Sequence, residues 1–383
     1  MDLTPPDELI AVAELARSLG LEKLAPAARS AEAAGQVDGA VWRALTESGL
    51  VSGLRAEHGG DGLIDAATQM AAAENLAYGD PGIALAALWS GAAATLLSEH
   101  GTAEQGDRAR RLSRDAAAPG AIAMYEGFGR GPDEWTTTVG GGAGTITVRG
   151  TKVGVPFAAA ADPLIVVGTD ADTGTLRAVV VPAGAPGVTL EPADGAIALS
   201  ATQSLVASFD VTLPADAALG GGSLDPVALA VSVERIRLIL GAVAVGVAQR
   251  AIDYASEYAT ERVAFGRPIA GFQGVSFLLA EKQMRVEAAR LAVAEAASLI
   301  DGGTAGIDGG VAGTNCLASL RRAVREAVNY AADAAAMTTR DAVQVLGGHG
   351  FLTDHPVELW YRSAAAIAAL DFDPLCSAFA PAV

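Results

Sequence analysis

Cysteine, histidine and basic residues are all scarce in this chain. Its two cysteines, Cys316 and Cys376, stand far apart and read neither as a disulfide framework nor as a zinc motif, so a reducing, cytoplasmic setting is expected. Four histidines, His58, His100, His349 and His355, lack ligand spacing, and no metal site is expected. Lysine and arginine number 26 against 44 acidic residues, a net charge of −18. That balance excludes a nucleic-acid partner, which needs clustered cations to neutralise phosphate. Charged residues make up only 18% and hydrophobic ones 51%, which excludes a disordered chain. Long apolar runs are missing too. The most apolar stretch, LILGAVAVGVA from Leu238, has 11 residues. It is too short for a bilayer of ~30 Å at ~1.5 Å per residue. The opening MDLTPPDELI is acidic and shows no signal-peptide pattern, so no membrane partner is expected.

The chain's 383 residues suffice for two or three domains. Residues 1–118 read as a helical domain, with apolar positions three and four apart in AATQMAAAENLA and GIALAALWSGAAATLLSEHG. Asp7, after Pro5 and Pro6, reads as the cap of the first helix, and LRAEHGGDGL (54–63) as a turn between helices. Residues 119–222 change character. TTTV, GGGAG and TITVRG form a strand, a turn and a strand, and PLIVVGTD, LRAVVVP and SLVASFDVTLP repeat that grammar. Strands without helices between them predict antiparallel pairing in a barrel-like or sandwich domain, and exclude a Rossmann domain. From 223 to 383 the helical period returns. A helix begins at Asp225-Pro226, and others cover 272–300, Asn315 to Leu346, and Pro356 to Leu370, which predicts a four-helix bundle. The fold class expected is α+β, mainly α.

In DAVQVLGGHGFLTDHP a helix stops on Gly347, Gly348 and Gly350. Glycine there either ends the helix or lets the backbone approach a ligand. Together with ERVAFGRPIAGFQGVSFLLAEKQMRVEAAR (261–290), GTAEQGDRARRLSRD (101–115), SFDVTLPADAALGGG (208–222) and QVLGGHGFLTDHPVELWYR (344–362), the sequence resembles the acyl-CoA dehydrogenase family over nearly its whole length. The resemblance implies an FAD enzyme of fatty-acid β-oxidation that places an α,β double bond in an acyl-CoA thioester. It also implies electron transfer to an electron-transferring flavoprotein, and a homo- or hetero-oligomer (dimer or tetramer) whose flavins are shared between subunits. By the same resemblance Arg262, Phe265 and Gln273 meet the pyrophosphate and ribityl side of a neighbour's flavin. Gln344, Gly347 and Gly348 then meet its adenosine part. A guanidinium suits phosphate because it offers two parallel donors.

On the flavin-ring side the sequence departs from the family. Where members carry a TEP-like stretch, this chain reads AMYEGFGRGPD (123–133), which puts Met124 and Tyr125 at the ring. In place of K-x-W-I-T stand Lys152, Val153, Gly154, Val155 and Pro156. Glycine has no ring to stack and proline no donor. For the proton-abstracting carboxylate, the position nine residues after Arg362 holds Asp371 in AALDFDPL. Aspartate is shorter than the family's glutamate by one methylene, roughly 1.5 Å. A second family position falls at Ile236, with Glu234 two residues earlier, and Glu234 has Arg235 and Arg237 as pairing candidates. Asp371 is the expected base and Glu234 its alternative. Two readings stand: an active acyl-CoA dehydrogenase, or a partner subunit that completes another chain's FAD site while its own cleft is degenerate.

Overall fold

The computed structural model describes residues 6–60, 62, 64–112, 119–127, 130–142, 144–193, 196–303 and 311–371. Cys376 lies outside them; Cys316 is an exposed free thiol. Six helices come first: α1 (Asp7–Leu19), α2 (Ala25–Ala34), α3 (Gly39–Glu47), α4 (Ala66–Gly79), α5 (Pro81–His100) and α6 (Ala103–Leu112). Pro6, not Asp7, occupies the cap of α1, and no side chain bonds there. Asp7 sits in the first turn, where its charge meets the positive helix end. Asp80 caps α5 by accepting the Ile83 N–H at 2.7 Å, ahead of Pro81 in the first turn. Burial raises the Asp80 carboxyl to about 6 despite that bond. Helix α5 is long and apolar enough to cross a membrane, a length the sequence reading overlooked, but its apolar window is wholly buried within the fold.

The middle of the chain forms β1 (Ala121–Ala123), β2 (Thr138–Gly142), β3 (Thr145–Val155), β4 (Leu164–Asp170), β5 (Leu176–Val181), β6 (Val188–Pro192) and β7 (Leu205–Pro214). The sheet runs β1-β4-β2-β3-β7-β6, with β5 on the other edge of β4. Hairpins β2–β3, β4–β5 and β6–β7, and the β3–β7 pair, are antiparallel as expected. The β1–β4 and β2–β4 pairs are parallel instead. No α-helix connects them, so the Rossmann exclusion stands. Strands β1 and β6 went unanticipated because three residues, or VTLEP with its mixed exposure, carry no usable period.

Four long helices follow: α7 (Pro226–Glu261), α8 (Gln273–Gly303), α9 (Val311–Leu346) and α10 (Val357–Asp371), with the hairpin β8 (Val263–Ala264) and β9 (Arg267–Pro268) between the first two. Asp225 accepts the Val227 N–H at 3.1 Å and caps α7 as expected. At 36 residues, α7 spans about 54 Å and forms the axis of the molecule. It packs on α4 through Gly246, where an added Cβ would sit 2.1 Å from the Glu74 carbonyl oxygen. Charged ties join the helical ends of the chain: Arg290 Nε meets Glu74 at 2.8 Å, and Tyr78 Oη donates to Asp253 at 2.8 Å.

Alanine exceeds glycine in helix propensity by about 1 kcal/mol, so Gly246→Ala in an isolated helix would stabilise. Here the methyl group meets backbone, and the account expects a net loss of about 1–3 kcal/mol through overpacking, read as a lower Tm. A raised Tm would contradict the close α4–α7 approach.

Candidate functional site

Two regions of the fold gather the residues that the sequence singled out. The first lies where α7 ends. Arg262 follows the last helical turn, and its side chain is exposed with no ion pair among the described residues. Phe265 adopts φ 50° although it is not glycine, and is 96% exposed, touching only the edge of Phe272 at a centroid distance of 6.2 Å. Phe265 and Gly266 (φ 82°) form the two-residue turn of the β8–β9 hairpin, a turn that needs left-handed backbone at both positions. Across from this loop, Gly347, Gly348 and His349 close a cavity of about 480 Å³, with Tyr258, Arg262 and Ile269 on the facing wall.

The three glycines that end α9 now have separate reasons. Gly347 has φ 58°, which favours glycine on conformational grounds. At Gly350 a Cβ would sit 2.5 Å from the Val343 carbonyl oxygen, so packing demands it. Gly348 has neither a left-handed φ nor any atom within 4 Å of an added Cβ. Neither backbone conformation nor packing within the described residues calls for glycine there. Arg262, Gly347 and Gly348 are therefore brought together, and an adenine dinucleotide phosphate fits them: one free guanidinium and a backbone bare of side chains. Phe265, Gln273 and Gln344 are exposed but do not line that cavity.

The second region holds the ring-side and base candidates. Met124 and Tyr125 are buried, at 2% and 4% exposure, beneath a pin formed by Lys152 and Glu126. Lys152 Nζ donates to the Met124 carbonyl at 2.9 Å and to Glu126 Oε1 at 2.8 Å, and lies 4.4 Å over the Trp135 ring. Glu126 also accepts the backbone N–H groups of Thr136 and Thr137 at 2.6 and 2.8 Å. Burial lowers the ammonium to about 8 against the pull of Glu126. Burial pushes the carboxyl up, but these donors outweigh it and hold Glu126 at about 2. Glu126's direction decides the stability of the pin, because four donors converge on that one carboxylate: Lys152 Nζ, the two N–H groups and the Thr136 hydroxyl at 2.8 Å. At Gly154, φ 60°, a Cβ would meet Leu370 Cδ2 at 2.5 Å, so Leu370 of α10 occupies the space that a tryptophan there would need.

Asp371 and Glu234 meet, though not as a free base and its understudy. Both grip Arg237, which the sequence reading named only as a possible partner of Glu234. Arg237 Nε and Nη2 donate to Asp371 Oδ2 and Oδ1, each at 2.8 Å, and Nη1 donates to Glu234 Oε2 at 2.7 Å. All three are buried, at 2%, 5% and 0% exposure for Arg237, Asp371 and Glu234. Burial alone would lower Arg237, but the two carboxylates raise it well above the ordinary arginine range. Burial raises the Glu234 carboxyl, with Arg237 and Arg321 opposing. Arg321 Nε lies 3.7 Å from Glu234 Oε1 and its Nη1 bonds Asp133 at 2.8 Å. An alternating row of charges thus runs from α10 through α7 and α9 to the turn before β2. The Tyr125 hydroxyl is buried without a hydrogen-bond partner, and burial and then the Asp371 carboxylate raise it well above the usual phenol range. Arg235 turns away to Gln69 at 2.7 Å.

Two family models match the chain: acyl-CoA dehydrogenase, N-terminal domain, over residues 6–112, and acyl-CoA dehydrogenase, C-terminal domain, over residues 227–371. A short-chain specific acyl-CoA dehydrogenase of Megasphaera elsdenii is 29% identical over 363 residues, 92% of this chain and 91% of that protein. An acyl-CoA dehydrogenase of Bacillus subtilis is 34% identical over 225 residues, 58% of this chain and only 56% of that protein. Among solved structures, butyryl-CoA dehydrogenase from Megasphaera elsdenii superposes with a TM-score of 0.79 at 26% identity, covering 99% of this chain and 98% of that one.

The buried pin gives a pH test. Glu126 sits at about 2 in the fold and at about 4.3 when unfolded. Its stabilisation is complete above about 4.3 and is lost as the pH falls towards 2. Glu126→Gln removes the charge and the hydrogen bond that hold the Lys152 ammonium up against burial, so at pH 7 it should cost about 3 kcal/mol, seen as a lower Tm. The gap between variant and wild type should close as pH drops from 4.3. A gap independent of pH would show that Glu126 carries no charge in the fold.

Proposed function

This chain belongs to the acyl-CoA dehydrogenase family and is an acyl-CoA dehydrogenase-like flavoprotein, and we propose that it serves the α,β-dehydrogenation of an acyl-CoA thioester in an oligomer whose subunits share FAD. The observation that carries this reading is the cavity in which unpaired Arg262 faces Gly347 and Gly348. FAD, when bound, supplies a two-electron acceptor for the hydride that leaves the acyl chain. Arg262 holds pyrophosphate charge with parallel N–H donors. Gly348 lets the ligand approach the backbone where a Cβ would stand. Gln273 and Gln344 lie beyond the cavity wall and serve, on this reading, the ribityl and adenosine ends.

The assembly has surface to use. Phe265 and Phe351 are 96% and 78% exposed around the cavity. On α8, Phe277, Met284 and Leu291 recur every seventh residue at 67%, 66% and 62% exposure. That stripe on one helix face suits a helix of another subunit. An electron-transferring flavoprotein is the proposed electron acceptor.

The base remains a proposal with a tension in it. An α-proton needs a carboxylate oxygen free to receive it. Asp371 has each oxygen bonded once to buried Arg237, so its orientation is set by that clamp and only its remaining lone pairs could receive the proton. The clamp is the observation behind a second reading, in which the chain completes the flavin site of a related partner chain and its own cleft does not turn over; the similarity to acyl-CoA dehydrogenases supports the first.

Arg262→Ala should strip flavin from the purified assembly, weakening binding by roughly 10-fold or more, as loss of a charged hydrogen bond implies. Unchanged flavin content would remove Arg262 from the site. Asp371→Asn separates the two readings. If Asp371 is the base, turnover falls by about 100-fold or more with flavin retained. If it is the counter-ion of Arg237, Tm falls and the turnover of an assembly containing a competent partner chain does not.

A further inference from the structure

Beside the cavity stands a group of four side chains that the reading above leaves idle. The Tyr258 hydroxyl lies 3.1 Å from His349 Nδ1, and the Tyr254 hydroxyl lies 2.8 Å from His355 Nδ1. The two imidazoles meet edge to face at 5.7 Å, and Tyr258 packs edge-on to His355 at 5.9 Å. Trp360 backs Tyr254 at 5.6 Å. His349 lines the cavity opposite Arg262.

Tautomer logic gives this cluster a purpose. A neutral imidazole carries one N–H and one acceptor nitrogen. If Tyr258 donates its O–H to Nδ1, the proton of His349 resides on Nε2, which has no partner among the described residues. His355 holds the ring in place from one side and Tyr258 from another. We propose that His349 Nε2–H is a second phosphate donor of the cavity, acting with Arg262 on the pyrophosphate of an adenine dinucleotide, and that Tyr258 is the positioning residue that fixes its tautomer. The proposal rests on the reading of the cavity given above and adds a residue to it. A dinucleotide phosphate is then met by the Arg262 guanidinium and the His349 Nε2–H, which line the same cavity.

The test uses the purified full-length protein and two simple probes, ADP and adenosine, followed by calorimetric titration, with FAD as a third ligand. His349→Phe should weaken ADP and FAD roughly tenfold, the factor equal to ~1.4 kcal/mol, and leave adenosine unchanged. His349→Gln keeps an N–H donor and should recover most of the affinity. Tyr258→Phe should weaken ADP by a smaller factor, and should add nothing when combined with His349→Phe. ADP affinity unchanged in His349→Phe, or an equal loss for adenosine, would overturn the proposal. Loss of ADP in Arg262→Ala but not in His349→Phe would overturn it alone and leave the cavity reading standing. A wild-type protein that binds neither ADP nor FAD would remove both.

Discussion

A buried arginine with two carboxylates sets the limits on what this chain does. Arg237 carries a positive charge into the interior at 2% exposure, and desolvation alone would make that prohibitive. Asp371 with two bonds and Glu234 with one supply the compensation. Because Asp371 is the last residue of α10, the clamp fixes the end of that helix against α7, and Leu370 is thereby seated on Gly154 of β3. One ion cluster therefore couples the helical bundle to the sheet. It also holds both carboxylates that the sequence singled out as candidate bases.

The two halves of the site differ in kind as a result. The proposed phosphate half is an open cavity lined by Arg262, Gly347 and Gly348, with no ion pair to Arg262 among the described residues. On the other side the candidates are engaged by their own protein: Leu370 lies over Gly154, Met124 and Tyr125 are buried beside the Lys152–Glu126 pin, and Arg237 binds both candidate carboxylates, Asp371 and Glu234. Glycine at 154 and leucine at 370 complement one another as a small–large pair. Read alone, Gly154 looks like a lost contact; in the fold it is a packed one.

Much of this was legible in the sequence, and the reasons for the rest are physical. Helical periods located α7, α8, α9 and α10 within a few residues, since long amphipathic or alanine-rich runs leave a strong signal. Arg262 with Gly347 and Gly348 was placed by motif, and they do share a cavity. Two parallel strand pairings were missed because pairing partners are set by non-local register, which local alternation does not encode. Arg237 was missed as the centre of a site because its three bonds join residues 134 positions apart as well as three apart. The local signal, Glu234 followed by Arg235 and Arg237 in a largely apolar run, did not say which arginine it pairs with. Tyr258 and His349 likewise meet only after α7 and α9 pack.

The most direct test of the account is a double-mutant cycle on stability across Arg237 and Asp371, using Arg237→Met, Asp371→Asn and the pair together in thermal and denaturant unfolding. The account predicts that each single change is strongly destabilising because it strands a buried charge. It predicts that the double variant loses less than the sum, with a coupling of about 2 kcal/mol or more. Additive losses would mean that the two side chains do not share a buried ion pair. Asp371 would then be free to serve as the base, and the clamp would cease to explain the closed half of the site.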